Sequence, residues 1–485
     1  MRPWSWVAPL CLGVFACSSG ESSPPSGGTV AGSSGKAAGA GAGGASNAGQ
    51  GGVGGSAGSQ SPTGGAGSGG SGGSGGSAGS GPPPVVDPST LSGKQVFGYQ
   101  GWFACPADGS QPDRWVHWFN GTPADPDHAS FDLWPDVSEL DADELFPTAM
   151  TLPGGAPASV YSAFTEKTVV RHFQWMKDAG IDGVVLQRFL NELGDPAFKA
   201  LRDQVLRNVM AGAEQHGRVF AVMYDISGAD AGTLNANLVA DWKYLVDTLQ
   251  VTASDRYLQH EGKPLLAIWG LGFNDRPATA AQAQALIDEL KSGVEAQYQV
   301  TLLGGVPTHW RTLMPDTDTQ TDPAWADVFR SYDVVSPWAV GRFIDDGGSD
   351  TFRSEHFEPD LAELAPLGID YLPVVWPGFS WVNLNDGPLN QIPRHGGAFY
   401  WRQVYNALDS GATMLYGAMF DEVDEGTAFF KAAPSSATVP EQGTWLTLDA
   451  DGQTLPSDWY LRVAGAATEV VRGERELTET VPISP

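Results

Sequence analysis

Two unlike halves meet in the stretch Thr413-Met414-Leu415-Tyr416-Gly417-Ala418-Met419-Phe420-Asp421-Glu422-Val423-Asp424-Glu425-Gly426-Thr427. The first half is apolar and typical of a buried β-strand, whereas the second places four carboxylates within five residues. Carboxylates this close repel one another, and burying one of them is costly unless it is paired or protonated. The ordinary interpretation is an acidic surface turn. At the end of a barrel strand, however, the same run would lie where barrel enzymes carry their catalytic groups.

Seven further apolar runs precede this one in the chain. Each is continuous rather than alternating, which indicates a strand covered on both faces, as in a parallel sheet. The predicted strands span residues 95–103, 183–189, 219–226, 264–271, 301–306, 332–340, 371–375 and 413–420.

Amphipathic stretches of helical period separate most of these runs. The first predicted helix, residues 167–179, gathers its apolar side chains largely on one side and is followed by Gly180, which fits a C-terminal cap. The others span residues 197–216, 234–249, 279–295, 359–367 and 397–408. Eight strands alternating with helices predict an α/β fold, a (β/α)₈ TIM barrel. A doubly wound open sheet is the alternative, but no strand–GxGxxG–helix segment supports it.

The amino-terminal residues predict export. Arg2 and the apolar residues 7–16 are typical of a secretory signal peptide, residues 1–16, whose apolar part is too short to span a bilayer. Cys17 follows Ala16 as in a bacterial lipobox, so we expect a lipid-modified Cys17 and an outer-membrane or cell-surface lipoprotein; plain secretion is the alternative. Residues 17–92 are rich in Gly, Ser, Ala and Pro and predict a disordered linker.

The charge and the cysteines narrow the classes of function. Residues 1–90 carry two basic and two acidic side chains, so the whole formal charge of −29 belongs to residues 91–485. Phosphate backbones would be repelled, which argues against nucleic-acid binding. Only Cys17 and Cys105 remain after maturation, so no intramolecular disulfide is expected, and Cys105 is interpreted as a packed thiol. We expect one catalytic domain, residues 93–485, a monomer that meets a membrane only through the lipid anchor.

The predicted strand ends are rich in polar and aromatic side chains. Flat aromatic faces suit the C–H surfaces of sugar rings, while carboxylates and Arg can bind hydroxyl groups, so a polysaccharide or glycan is the expected partner. The candidate substrate-binding residues are Tyr99, Trp102, His117, Arg188, Asp225, Trp269, His309, Trp338, Arg342, Trp376, Trp381 and Asp424.

Each candidate also has a structural interpretation. Barrel Trp residues often fill the space between strands and helices, His117 and His309 could be structural histidines, and Asp225 could pair with Arg188. No HxH, HExxH or CxxC spacing predicts a zinc site, and the acidic run lacks the spacing of an EF-hand loop. No metal or cofactor is therefore expected.

Glu422 and Glu425 are the candidate catalytic residues, because two carboxylates are the usual equipment for cleaving a glycosidic bond. Three residues apart, they would share one side of a helical turn but point oppositely along a straight strand. The pair can cooperate only if the backbone bends after Phe420, and Gly426 is consistent with such a bend.

Six segments resemble the bacterial glycoside hydrolase family 71/99-like proteins over roughly residues 93–475. They are Gly98-Tyr99-Gln100-Gly101-Trp102-Phe103, Trp115-Val116-His117-Trp118, His172-Phe173-Gln174-Trp175-Met176, Trp376-Pro377-Gly378-Phe379-Ser380-Trp381, Arg394-His395-Gly396-Gly397 and Phe420-Asp421-Glu422-Val423-Asp424-Glu425-Gly426-Thr427. Family 99 proper comprises (β/α)₈ endo-α-mannosidases and endo-α-mannanases that carry a Glu-x-x-Glu-Gly-Thr motif.

The resemblance implies a division of labour between the two glutamates. Glu422 would deprotonate the sugar 2-hydroxyl to give a 1,2-anhydro-sugar, and Glu425 would protonate the leaving group and later activate water. Asp421, Val423 and Asp424 stand where the family usually has Asn, Trp and His, so the substrate could differ. The expected function is a retaining hydrolase of an α-linked polysaccharide, mannan-like or an α-1,3-glucan. The alternatives are a non-catalytic glycan-binding surface lipoprotein and a purely structural surface barrel.

Overall fold

The computed structural model describes residues 85–315 and 317–485. The predicted signal peptide, Cys17 and the linker up to residue 84 lie outside the described residues. Residues 85–92 belong to the packed domain, because the Val86 N–H donates to the Gly217 carbonyl at 2.9 Å and Leu91 is fully buried. Packing therefore begins before residue 93. Within the described chain, no helix is both long enough and apolar enough to cross a membrane.

Eight parallel barrel strands confirm the predicted fold. The strands in chain order are β1 (Gln95–Tyr99), β2 (Phe146–Thr151), β3 (Pro157–Val160), β4 (Gly183–Phe189), β5 (Val219–Asp225), β6 (Gln259–His260), β7 (Lys263–Trp269), β8 (Thr301–Val306), β9 (Val334–Pro337), β10 (Asp370–Tyr371), β11 (Val374–Val375) and β12 (Leu415–Gly417). The ring runs β1, β4, β5, β7, β8, β9, β10 with β11, and β12, which pairs with β1.

The seventh barrel strand is divided into two pieces. β10 pairs with β9 and β11 pairs with β12, and the backbone between the two pieces continues the ladder. The Leu372 N–H donates to the Val335 carbonyl at 2.9 Å, and the Tyr416 N–H donates to the Pro373 carbonyl at 3.0 Å. Each neighbour in the ring is therefore paired, which excludes the doubly wound open sheet with its two free edges.

Ten α-helices are found in the described chain, and the longer ones follow the barrel strands. They are α1 (Glu166–Ala179), α2 (Pro196–His216), α3 (Leu234–Asp247), α4 (Ala280–Asp288), α5 (Trp325–Phe329), α6 (Asp346–Phe352), α7 (Glu358–Leu364), α8 (Val382–Asn385), α9 (Ala398–Asp409) and α10 (Trp459–Val471). α1 ends at Gly180 in the left-handed conformation, φ 78°, as predicted, and the Asp195 carboxylate caps α2 by accepting the N–H groups of Ala197 and Phe198.

Two long connections lie beyond the carboxyl ends of the strands. Residues 100–165 join β1 to α1 and contain the antiparallel hairpin of β2 and β3. Residues 418–458 join β12 to α10. The two connections touch through isolated bridges, Leu133 with Leu446 and Pro135 with Ala432, so together they cover the end of the barrel at which β1 and β12 meet.

Candidate active site

The backbone bends sharply after β12. Phe420 continues the barrel ladder, since its N–H donates to the Gly98 carbonyl at 2.7 Å, and its own carbonyl accepts the N–H groups of Phe429 and Phe430. The chain therefore leaves the strand and returns to the same point. Between these ends, the Gly426 N–H closes a turn on the Val423 carbonyl at 3.3 Å, with Gly426 at φ 64°. We call residues 421–426 the acidic turn; it supplies the bend that cooperation between the two glutamates requires.

All four carboxylates of the acidic turn are buried. The exposed fraction is 0% for Asp421, 3% for Glu422, 2% for Asp424 and 9% for Glu425. The interpretation as a solvated surface turn is therefore wrong. Burial alone raises the pKa of each carboxyl group, because a low-polarity surrounding disfavours the charged form.

Asp421 joins the acidic turn to the end of β1. Its two carboxylate oxygens accept the backbone N–H groups of Gln100 at 2.7 Å and Gly101 at 2.9 Å. Burial raises its pKa to about 7 against the effect of these two donors. Close packing helps the join, since a Cβ added at Gly98 would lie 2.1 Å from the Met419 side chain. Asp421 is an anchor of the turn rather than a reacting group.

Glu422 is surrounded by hydrogen-bond donors. The Gln100 side-chain amide donates to its Oε2 at 2.6 Å, and the backbone N–H groups of Asp424 and Glu425 point at its Oε1 at 3.0 and 3.4 Å. Burial, followed by the charge of Glu425, raises the pKa of Glu422 well above its usual value, whereas the Gln100 side chain and the Glu425 N–H lower it. Three donors aimed at one carboxyl group favour its ionised form, which suits a base.

Glu425 has the opposite surroundings. The described chain offers its carboxyl group no hydrogen-bond donor, and burial raises its pKa to about 7. Only its backbone is held, because the Ser380 N–H donates to the Glu425 carbonyl at 2.8 Å. A protonated carboxyl group with a free O–H at neutral pH suits a general acid.

Asp424 contacts a histidine from the β1–α1 connection. His117 Nδ1 lies 3.0 Å from Asp424 Oδ2, while Asp424 Oδ1 is buried and has no partner among the described residues. The His117 ring stacks on Trp102 with centroids 3.7 Å apart and an interplanar angle of 8°. The structure thus brings five of the predicted site residues together: Trp102, His117, Glu422, Asp424 and Glu425.

The six segments that carry the family resemblance converge on this turn. Gln100 contacts Asp421 and Glu422, and the Tyr99 hydroxyl lies 2.8 Å from His172 Nδ1. Arg394 Nη2 donates to the carbonyls of Gly426 at 2.6 Å and Ala428 at 2.9 Å. With His117 on Asp424 and Ser380 on the backbone of Glu425, each segment either supplies the turn or supports it.

Two predicted substrate-binding residues lie in the packed interior. Tyr99 is fully buried between β1 and α1, so it does not reach the barrel mouth. Arg188 is 2% exposed and donates to both carboxylate oxygens of Asp241 and to Asp203, on α3 and α2. The Arg188 side chain therefore points toward the helices and belongs to a structural ion cluster. Its partners are Asp241 and Asp203, not Asp225 as the structural interpretation of the sequence suggested.

Two predicted aromatic platforms have no free face. Trp102 lies between His117 on one side and Phe189, 5.3 Å away between centroids, on the other. Trp376 is fully buried against Phe343 and Phe399. Neither ring can stack on a sugar in this conformation.

The remaining candidates lie at other strand ends. Asp225 is partly buried and accepts the Ser227 N–H at 2.7 Å, and burial raises its pKa. Trp269 packs against Trp338 at 5.6 Å, and Arg342 is committed to an ion pair with Asp318. The ring centroids of His309 and His356 are 5.0 Å apart, and burial lowers the pKa of His309. Trp381 is partly exposed and packs beside Phe379.

Other groups do not join the site. Cys105 is a buried thiol whose Sγ lies 3.2 Å from the Tyr161 carbonyl, which confirms the packed-thiol interpretation. Two sets of described residues could hold a metal ion, His260 with Glu261 and Asp370, and Asp141 with Asp143 and Glu144. Neither set includes a carboxylate of the acidic turn.

Sequence reasoning missed three supports of the turn. Gln100 and Arg394 stand inside quoted motifs, so their segments were identified although their roles were not. Asp132 was not identified from the sequence. It is fully buried, and its carboxylate accepts the Ser380 hydroxyl and the N–H groups of Val382 and Asn383. Its own N–H donates to the Val423 carbonyl at 3.1 Å. Its position in an irregular loop has no periodic pattern to reveal it.

The eight parallel strands and their helices define a (β/α)₈ barrel that carries the acidic turn at the end of its last strand. No family model and no curated protein matches the chain. Solved structures do. The GH99 endo-alpha-mannosidase from Bacteroides thetaiotaomicron is 13% identical, with 79% of this chain and 99% of that chain covered and a TM-score of 0.58.

Two further solved structures agree. The same mannosidase in complex with bis-tris-propane is 14% identical over 79% of this chain and 99% of that chain, with a TM-score of 0.57. A protein described as glycoside hydrolase-like is 13% identical over 80% of this chain and 97% of that chain, with a TM-score of 0.50. At this identity the similarity establishes the fold, and the barrel expected from the family resemblance is confirmed.

Proposed function

We propose that the chain is a retaining glycosidase in which Glu422 is the base and Glu425 is the general acid. The observation that carries the proposal is the asymmetry between two buried carboxyl groups on one turn. Glu422 receives three hydrogen-bond donors, whereas the Glu425 carboxyl group receives none from the described chain. Burial raises the pKa of both groups, so the donors are what separates them. Environments that separate the protonation states of two neighbouring carboxyl groups are typical of acid and base assignments.

The proposed reaction has two steps. Glu422 takes the proton of the sugar 2-hydroxyl while the sugar O2 attacks C1. The bond between C1 and the glycosidic oxygen breaks, and Glu425 gives its proton to that leaving oxygen. The 1,2-anhydro-sugar is then opened by water, which loses a proton to Glu425 while Glu422 returns the proton to O2. Both glutamates regain their starting states and the anomeric configuration is retained.

The substrate we propose is an α-linked polysaccharide or glycan. Support comes from the motif Glu422-Val423-Asp424-Glu425-Gly426-Thr427 and from the fold shared with an endo-α-mannosidase. α-Mannan and α-1,3-glucan are the first substrates to try, with xylan and arabinan beside them.

The test is a hydrolysis screen with product anomers followed by NMR. We expect one α-linked polymer to be cleaved with retention, no turnover of its 2-deoxy analogue, and losses of at least 100-fold in Glu422→Gln and Glu425→Gln. Wild-type turnover in either variant, or cleavage of the 2-deoxy analogue at the normal rate, would contradict the assignment. Oligosaccharide binding without any product would favour the non-catalytic glycan-binding alternative.

We also propose that the mature chain is a monomeric surface lipoprotein attached through Cys17. The support is the sequence alone, Ala16-Cys17 followed by a Gly- and Ser-rich stretch. Mass spectrometry of the mature amino terminus in the native host tests it; a diacylglyceryl mass on Cys17 is expected, and an unmodified Cys17 in the medium would indicate plain secretion.

A further inference from the structure

Asp424 is the one carboxylate of the acidic turn that the proposed reaction leaves without a role. Asp421 is occupied by two backbone N–H groups, and Glu422 and Glu425 are assigned as base and acid. Asp424 is 2% exposed and lies between the two glutamates in sequence. An unpaired negative charge at this place would be costly in itself and would disfavour ionisation of both neighbours.

His117 is held in a defined orientation against this carboxylate. Trp102 stacks on one face of the imidazole at 3.7 Å, and the Ser130 hydroxyl donates to the His117 carbonyl at 2.6 Å. The His117 side chain is 31% exposed, whereas that of Asp424 is 3% exposed. One nitrogen of the ring therefore contacts a buried carboxylate while the residue still reaches solvent.

The charged groups around the pair are strongly unequal. Asp424 faces Glu422, Glu425, Asp421 and Asp132, which all raise its pKa in addition to burial. Besides Asp424, His117 faces Arg202 of α2, which with burial lowers the pKa of the imidazole. Arg202 is itself neutralised by Glu192. His117 is thus the proton-binding side chain that touches Asp424.

We propose that His117 and Asp424 are a charge-setting pair that holds one proton between them and so keeps Asp424 from adding a negative charge beside Glu422 and Glu425. The pair is electrically neutral whichever member carries the proton. His117 and Asp424 are positioning residues in this proposal, acting through the two glutamates. The proposal rests on the proposed function only for its kinetic readout.

The kinetic test compares pH profiles of kcat/KM for the full chain on the polymer found in the screen. Asp424→Asn keeps this position neutral, so the acid limb and the basic limb of the pH profile are both expected to lie within about half a pH unit of their wild-type positions. His117→Gln removes the side chain that shares the proton and leaves Asp424 able to ionise near its neighbours, so both limbs are expected to move up by about one to two pH units. Adding Asp424→Asn to His117→Gln is expected to bring them back.

The matched control is His128→Gln. His128 Nδ1 lies 2.7 Å from Asp125 in the same connection, but both side chains are about one-third exposed, 34% and 29%. This variant is expected to leave the limbs unchanged. The proposal would be overturned if the limbs of His117→Gln stayed in place, or if the double variant were shifted as far as His117→Gln alone. A merely structural role would lower activity without shifting the limbs and without restoring them in the double variant.

A second measurement needs no activity. In protein with ¹⁵N-labelled histidine, the His117 imidazole is assigned by its loss in His117→Gln and titrated in wild type and Asp424→Asn. Removing the carboxylate is expected to lower the pKa of His117 by at least one unit. Identical titrations in wild type and Asp424→Asn would overturn the proposed pair, whether or not the chain is active. A lower pKa of His117 in Asp424→Asn would support the pair even in a chain that shows no glycosidase activity.

Discussion

Replacing Gln100 by Met should weaken the proposed base without touching either glutamate. The Gln100 side-chain amide donates to Glu422 Oε2 at 2.6 Å, and it is the side-chain donor among the three that point at this carboxyl group. Met has a similar length and no donor, so the exchange deletes one hydrogen bond to the ionised form and preserves most of the packing.

The magnitude follows from the strength of such a bond. A hydrogen bond to a charged group contributes about 1.5–3 kcal/mol, and one pKa unit corresponds to roughly 1.36 kcal/mol. The pKa of Glu422 should therefore rise by about one to two units. Because the base must be ionised, the acid limb of kcat/KM should move up by the same amount, and activity one unit below the wild-type limb should fall by roughly 10- to 100-fold.

The assay is the pH profile of kcat/KM between pH 4 and 9, with thermal unfolding measured in parallel. Gln174→Met is the matched control, because Gln174 makes a comparable bond of 2.6 Å to Asp178 on the surface of α1. An acid limb that stays in place in Gln100→Met while the variant remains folded would refute the assignment of Glu422 as the ionised partner.

Three further outcomes are expected. Glu425→Gln should abolish the basic limb, since the acid must be protonated and its pKa is about 7, so activity is lost as pH rises through that value; a nitrophenyl glycoside should suffer a smaller loss than the polymer. Asp421→Asn places an NH₂ group against one of two buried N–H groups and should lower the free energy of unfolding by about 1–3 kcal/mol, with Asp421→Ala worse, as thermal unfolding can show. Arg188→Met leaves Asp241 and Asp203 without their shared partner and should destabilise by about 3–5 kcal/mol with KM unchanged; a large rise in KM would instead place Arg188 at the substrate.

The barrel strands could be predicted because both of their faces are covered. Continuous apolar runs located all eight, but several predicted ends were too long: β1 ends at Tyr99 rather than at residue 103, and β12 at Gly417 rather than at residue 420. Trp102 and Phe103 beyond β1, and Ala418, Met419 and Phe420 beyond β12, are still apolar, so the apolar run does not end where the ladder stops. Four helices, α5, α6, α8 and α10, were missed. α5 and α8 are only five and four residues long, and α6 begins Asp346-Gly347-Gly348, which has poor helix propensity.

The same double burial limits what sequence says about the strand ends. Gln187 and Arg188 are adjacent, and alternation sends one toward the barrel interior and the other toward the helices, but without an exposed face nothing in the pattern tells which. Arg188 was assigned to the substrate and points outward. Trp102 was predicted to stack on a sugar, but its two faces are covered by His117 and Phe189. These residues lie 15 and 87 positions later in the chain, so a local sequence pattern cannot predict the contacts.

The join between Asp421 and the end of β1 has a consequence for when the proposed activity can first appear. The two residues linked by the Asp421–Gln100 hydrogen bond are 321 positions apart, and His117 and Asp424 are 307 apart. Contacts of such separation form late, after the intervening chain has folded. A growing polypeptide carries the residues of β1 long before the carboxylates of the acidic turn, so a chain truncated before Asp421 lacks both candidate catalytic glutamates. The proposed activity should therefore appear in one step, when the contacts between the acidic turn and the end of β1 form. Turnover would then report that folding is complete.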